Sequence, residues 1–341
     1  MKGRLIVLDD LNGHEAAALM VDGRLEDLFL DSDGIRTGAI YRAVVDRPVK
    51  GQGGVFVRTT DGMGFLRQVS GLRPGQAVLV QVTGQPEPGK ALPVTSRLLY
   101  KSRYAIVTPD APGLNVSRSI RDEDRRDALL AIAHAEMGDA EMGLILRSSC
   151  AEASDDDIAD DIRAMHDLAQ AVAEDAEGAG PEKLTEGDGP HLLAWREWTD
   201  VAELDTTPGS FAAHGVLDQI EALRQPDCPL SGGASMVIEP TRALIAVDVN
   251  TGGDMSPASG FKANLAAAKE LPRHLRLRGL GGQIVIDPAP MPKKDRRQFE
   301  TTLRAAFRAD RVETALVGWT PLGHFELQRK RDRIALSEVA E

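Results

Sequence analysis

Cysteine is almost missing from this chain. Cys150 and Cys228 are the only two among 341 residues and stand far apart, in no C-x-x-C pair. That spacing argues against a disulfide framework or structural zinc and points to a reducing compartment. Aromatic residues are scarce at 4%. No run approaches the ~18 apolar residues of a membrane span, and the apolar part of MKGRLIVLDD is too short for a secretory signal. A cytoplasmic protein without a membrane segment is expected. No internal repeat is present, and the length suits two or three domains with sizeable cores.

Positive charge is also short overall, with a net charge of −12, which on its face disfavours a nucleic-acid partner. Its distribution reverses that reading. Residues 150–205 hold 17 Asp and Glu against 3 Lys and Arg, whereas residues 262–333 hold 16 Lys and Arg against 8 Asp and Glu. A phosphate backbone would be drawn to the second region, although a solvated basic helix face would give much the same count.

That basic region contains the most informative stretch, Ala243 to Met291. Leu244–Val249 and Gln283–Ile286 have the length and β-branched content of buried strands. Between them lies a helix-length segment with Phe261, Leu265, Ala268, Leu271 and Leu275 on its apolar positions, closed by Gly279, Gly281 and Gly282. Strand, helix and strand at this spacing predict a βαβ unit with parallel neighbours. Asp248 and Asp287 end the two strands, and Asn250 shares a face with Asp248. Two carboxylates and an amide oxygen at the carboxyl ends of parallel strands suit Mg²⁺, with Mn²⁺ as an alternative. Asp and Asn also end strands for purely structural reasons, and spacing alone leaves both readings open. Pro272 interrupts the intervening helix, where a kink or break is expected.

The wording of this stretch closely resembles the ribonuclease E/G family of bacterial endoribonucleases. The resemblance is carried by Asp248-Val-Asn250 with Thr-Gly-Gly-Asp after it, by Asn264-Leu265 with the later Leu275-Arg-Leu-Arg-Gly-Leu-Gly-Gly, and by Ile284-Val-Ile-Asp287. It implies an α+β multidomain chain: an RNase H-like subdomain carrying an inserted OB-fold barrel and a 5′-sensor region, followed by a DNase I-like α/β catalytic domain. The corresponding divisions are 1–36, the first part of the RNase H-like subdomain; 37–100, the OB fold; 101–150, the 5′ sensor; 151–230, a helical remainder and linker; and 231–341, the catalytic domain. Asp248 and Asp287 would hold Mg²⁺ and Asn250 would support the site. The reaction implied is hydrolysis of single-stranded RNA to 5′-phosphate and 3′-hydroxyl ends, in RNA processing and decay. The alternative is an RNA-binding protein of the same descent without turnover. A second Asp usually follows three residues after the metal Asp; here that position is Pro290.

Residues 1–36 alternate as a small β-rich start, with a turn at Val21-Asp-Gly-Arg. Five short strands with Gly/Pro turns follow between 37 and 100, as in a small OB barrel. Leu72-Arg-Pro-Gly-Gln before an alternating strand resembles the RNA-binding OB domain of ribosomal protein S-one. Phe56 and Phe65 are either its stacking platform for unpaired bases or its core. Tyr41-Arg-Ala-Val-Val-Asp-Arg-Pro replaces the family's basic K-G-K-type segment, so a weaker single-strand grip is expected.

Ser119-x-x-Asp122 resembles a capping box opening a helix that runs through Met137. Gly143-Leu-Ile-Leu reads as a buried strand delivering Arg147 and Ser148. In the family this pair is Arg-Thr and binds a 5′-monophosphate, and an Arg fork with a hydroxyl suits a terminal phosphate. Arg147 without that resemblance reads as an ion-pair partner. Leu114-Asn115 stands where a Gly-Gly pair is usual. A helix is predicted over Ser154–Gly178, a flexible polar loop over Gly178–Pro190, Trp195 and Trp198 as core anchors on a strand or turn, and a helix over Pro208–Arg224 leading into a linker. After Asp287 come a basic helix over Pro292–Asp310, a strand over Thr314–Trp319 and a last strand or loop from Phe325. The resemblance places Arg311 against RNA near the site. The chain reaches Glu341 without the family's C-P-x-C zinc link or dimerisation domain. It therefore resembles the catalytic half, and a monomer or weak dimer without zinc is expected.

Overall fold

The computed structural model describes residues 3–49, 53–138, 141–254 and 256–339. They form two compact units: Met1–Asp33 with Ala202–Glu341, and Gly34–Val201. No helix among the described residues is long and apolar enough to cross a membrane.

The Gly34–Val201 unit begins with a closed five-stranded barrel. Ile40–Val49 pairs with Gly54–Thr59, which pairs with Gly62–Arg67, then Leu92–Thr95, then Ala77–Val82, and the last returns to Ile40–Val49. Alternation sends Tyr41, Ala43, Val45, Val55, Val57, Leu66, Val80 and Val94 into the barrel core. The five strands predicted from the Gly/Pro turns are the five that close it, as in an OB fold. The predicted loop over Gly178–Pro190 contains a short strand between two irregular stretches. Glu182–Thr185 adds to Ile40–Val49 as an antiparallel strand. The reason is Arg42, nearly buried, which donates to the carbonyls of Gly180 and Asp175 at 3.1 and 2.5 Å and pairs with Glu182. Gly and Pro set the local turns, and this guanidinium fixes the backbone they release.

A second sheet in this unit runs Leu114–Val116, Gly143–Leu146, Ala105–Thr108, Tyr100–Lys101. Helices Glu123–Met137 and Asp155–Glu174 pack on it through Leu129, Ala133, Ile158, Ile162 and Val172. The first helix is capped by Asp122, whose Oδ1 accepts from the Arg125 N–H at 2.7 Å, and not by Ser119, whose hydroxyl is engaged by Ser117. The second ends at Glu174 and continues as a short 3₁₀ turn to Glu177. Trp195 and Trp198 lie on or at the end of a helix, Pro190–Glu197, with Pro at its first position where no N–H is missed. Trp198 anchors the core at 2% exposure, whereas Trp195 is 45% exposed.

The other unit contains two sheets. The first orders Glu203–Asp205, Arg4–Leu11, His14–Val21 and Arg24–Leu30, with Phe211, Val216, Ile220 and Leu223 covering its apolar face. The helix predicted over Pro208–Arg224 is divided into Ser210–Ala213 and Val216–Arg224. Gly215, at φ 65, takes the left-handed conformation that interrupts it. The predicted linker after Arg224 contains a strand, Asp227–Pro229, that buries Cys228.

The second sheet orders Asp227–Pro229, Ser235–Pro240, Ile245–Asn250, Gly282–Asp287, Phe325–Arg329 and Thr314–Trp319. Ile245–Asn250 and Gly282–Asp287 are parallel, and helix Pro257–Leu277 joins them. That helix and Arg296–Ala309 cover one face, where Val247, Val249, Ile284, Ile286 and Leu327 meet Ala267, Leu271, Leu275, Phe299 and Leu303. Burial of this many side chains, each worth roughly 1.5–3 kcal/mol, offsets the ~3 kcal/mol of an interior proline. The helix accordingly runs through Pro272 without the expected break. Its last turns are tied down by ion pairs. Asp310, with no exposed side-chain surface, bridges Arg276 and Arg329, and Asp27 bridges Arg276 and Arg333.

Candidate active site

The parallel pair puts Asp248 directly opposite Asp287. Residues paired in register share a face, and the odd-numbered neighbours Val247 and Val249 occupy the buried one. Asp248, Asn250 and Asp287 are therefore exposed together on the face away from the helices. Asn250 Nδ2 donates to Asp248 Oδ2 at 2.9 Å. This bond fixes the carboxylate and leaves the amide oxygen available. Among the described residues, no group of three or more His, Cys, Asp or Glu side chains is arranged to hold a metal ion. The donor set is two carboxylates and an amide oxygen, open to solvent. It fits a hard divalent cation that keeps several waters, rather than one enclosed by protein ligands.

The loops around these residues are held by close contacts. Gly252, at φ 70, passes so close to the Gly233 carbonyl that a Cβ there would lie 2.5 Å from its oxygen. After Asp287 come Pro288, Ala289, Pro290, Met291 and Pro292. Fully buried Asn264 donates to the Ala289 carbonyl and accepts from the Ala289 N–H, both at 2.9 Å. Lys293, Lys294 and Arg297 follow, all exposed, and Arg296 stacks over Trp319 at 4.4 Å from the ring centroid.

Sequence reasoning missed His324, whose Nε2 lies 3.7 Å from Asp287 Oδ1. It reaches the site because Phe325 pairs with Ile286, which places the preceding residue beside Asp287. Only the pairing register of Phe325–Arg329 could have revealed it. Arg311, exposed, lies just after helix Arg296–Ala309. The register sets nearby Thr314 beside Arg329 and Arg329 beside Gly282. Arg311 thus belongs to the end of the sheet opposite Asp287.

On the barrel, Phe56 and Phe65 pair across neighbouring strands and are half-buried on its outer surface, outside the core cluster. Their ring centroids are 5.3 Å apart. Arg47 lies 5.6 Å from the Phe56 centroid and Arg67 5.9 Å from that of Phe65. Two adjacent rings flanked by cations offer π-faces and positive charge together.

Arg147 is committed internally. Its Nη1 donates to the carbonyls of Ser102 and Arg196 at 2.6 and 3.3 Å, and its Nη2 to Glu197 Oε2 at 2.8 Å. Burial pushes the Glu197 carboxyl up, but Arg147 and Arg196 outweigh it and hold the group below the usual range. Ser148, next to Arg147, is exposed. Cys150 and Cys228 are free and buried, and burial pushes the Cys150 thiol up to about 11.

The sequence model of the Ribonuclease E/G family matches residues 100–202 and 196–332. Among similar proteins, ribonuclease E of Nostoc sp. is 26% identical over 93% of this chain and 54% of its own length. Ribonuclease G of Escherichia coli is 26% identical over 98% of this chain and 81% of its own length. Ribonuclease E of Escherichia coli is 30% identical over 78% of this chain and 29% of its own length. The chain thus spans about half the length, or less, of these ribonuclease E relatives and most of that of ribonuclease G. With the match extending over the strands that carry Asp248 and Asp287, this chain belongs to the ribonuclease E/G family.

Proposed function

We propose that this chain is a Mg²⁺-dependent endoribonuclease that hydrolyses single-stranded RNA to 5′-phosphate and 3′-hydroxyl ends. The observation that carries the reading is the register of Asp248 with Asp287 on an exposed sheet face, with Asn250 bonded to Asp248. Asp248 and Asp287 hold the ion, and Asn250 keeps the Asp248 carboxylate oriented toward it. Bound Mg²⁺ supplies charge neutralisation and Lewis-acid polarisation of the scissile phosphodiester. Lys293, Lys294 and Arg297, on the segment leaving the site, draw the RNA backbone toward it. Phe56 and Phe65, flanked by Arg47 and Arg67, stack unpaired bases. Arg147 and Ser148 receive a 5′-monophosphate only when the Arg147–Glu197 pair opens, so end preference is weak. The chain acts as a monomer or weak dimer.

An RNA-binding role without turnover is the second reading, favoured by Pro290 at the usual position of a second Asp. The two are separated by Asp248→Asn and Asp287→Asn, each assayed for cleavage and for binding of one labelled oligonucleotide. Both variants are expected to lose cleavage and retain binding. Undiminished cleavage by either variant removes that residue from the mechanism. Absence of cleavage by the wild-type chain, with binding intact, supports the second reading.

A further inference from the structure

Strand Gly282–Asp287 keeps its parallel partner through Asp287 but loses its antiparallel one just before its functional end. The last antiparallel pairing with Phe325–Arg329 is Ile286 with Phe325. Beyond Asp287 the backbone enters a segment in which Pro288, Pro290 and Pro292 have no N–H to donate. Its next internal donor is Ala289, 3% exposed. Both backbone groups of Ala289 are satisfied by one side chain, that of Asn264. Asn264 itself has no exposed surface. One turn earlier on the same helix face, Gly260 meets the next residue: a Cβ there would lie 2.2 Å from the Pro290 carbonyl oxygen. Helix Pro257–Leu277 therefore grips the loop at two consecutive residues, by a paired amide and by a close approach that only glycine permits.

We propose that Asn264 is a positioning residue for the metal site: it clamps Ala289 so that Asp287 stays in register with Asp248. This rests on the reading of Asp287 as a metal-binding carboxylate. An amide is suited to the task because it donates and accepts at once, matching a backbone N–H and C=O from a single residue. Leaving both buried groups unpaired frees the loop, and a loosened Asp287 binds a cation less well even though both carboxylates are present.

The test uses the full chain with Asn264→Asp, Gly260→Ala and Asp287→Asn. Asn264→Asp keeps the acceptor and loses the donor, whereas Gly260→Ala displaces the loop at the Pro290 carbonyl while leaving the donor and acceptor of Asn264 in place. Binding of Mn²⁺ without RNA is followed by electron paramagnetic resonance, and the Mg²⁺ dependence of cleavage is measured in parallel. Both clamp variants are expected to bind Mn²⁺ about tenfold more weakly, as loss of an outer support does. The Mg²⁺ concentration for half-maximal cleavage should rise by the same factor, with the rate recovered at saturating Mg²⁺. A merely structural residue would lower the folded fraction or the maximal rate and leave Mn²⁺ affinity and half-saturation in place, and that result overturns the proposal. Asp287→Asn separates the two levels. If it abolishes Mn²⁺ binding while the clamp variants do not weaken it, only the clamp fails. If it leaves binding intact, the metal reading fails and the clamp falls with it.

Discussion

Arg147 directs its guanidinium inward, toward two carbonyls and Glu197. The family resemblance casts this residue as a receptor for a 5′-monophosphate, and without that resemblance an arginine after a buried strand reads as an ion-pair partner. The second description matches the contacts seen here. A terminal phosphate would have to displace Glu197, whose charge is stabilised by Arg196 as well. Glu197→Gln removes the competing charge while keeping an acceptor. It should raise the ratio of cleavage rates on 5′-monophosphate and 5′-hydroxyl RNA by about tenfold, the scale of one charge-assisted contact of 1.5–3 kcal/mol. Arg147→Ala should erase whatever preference the wild type has. Cleavage of one RNA carrying each end checks both; an unchanged ratio in Glu197→Gln would mean that Arg147 serves only the fold.

At the scale of elements, the barrel strands show how alternation selects function. Val55 and Val57 point inward and Phe56, between them, points out, as does its partner Phe65. Sequence pattern alone left these two rings between core and platform, because phenylalanine serves both and the inward face is known only once the strands are paired. Phe56→Ala and Phe65→Ala leave the barrel core intact. Each should weaken binding of a single-stranded oligonucleotide by roughly 1–3 kcal/mol, the value of one base–aromatic stack, measured by fluorescence anisotropy at fixed salt. Binding within experimental error of wild type in both variants would remove the platform. The Gly178–Pro190 segment is the complementary lesson. Its glycines and prolines read as a flexible loop, yet a strand forms there, paired with Ile40–Val49 and held by distant Arg42 through the Gly180 carbonyl and Glu182. Pro272 teaches the same in reverse, since a local breaker is overridden by a helix already seated on its sheet.

For the whole molecule, the legible part was local and periodic. The βαβ unit, the barrel strands and the carboxylates at adjacent strand ends could be read because each depends on spacing within a short window. What could not be read depends on register between distant strands or on single long-range bonds: His324 beside Asp287, Asn264 on Ala289, and Glu197 on Arg147. The central claim joins the parallel carboxylate pair to a metal-dependent cut in RNA. Its most direct test is incubation of one 5′-labelled single-stranded RNA with the wild-type chain, with Mg²⁺ and with chelator. Internal cleavage only with Mg²⁺, leaving 5′-phosphate and 3′-hydroxyl termini, is the predicted result. Equal cleavage in chelator, or intact RNA at saturating Mg²⁺ with the RNA bound, would contradict it.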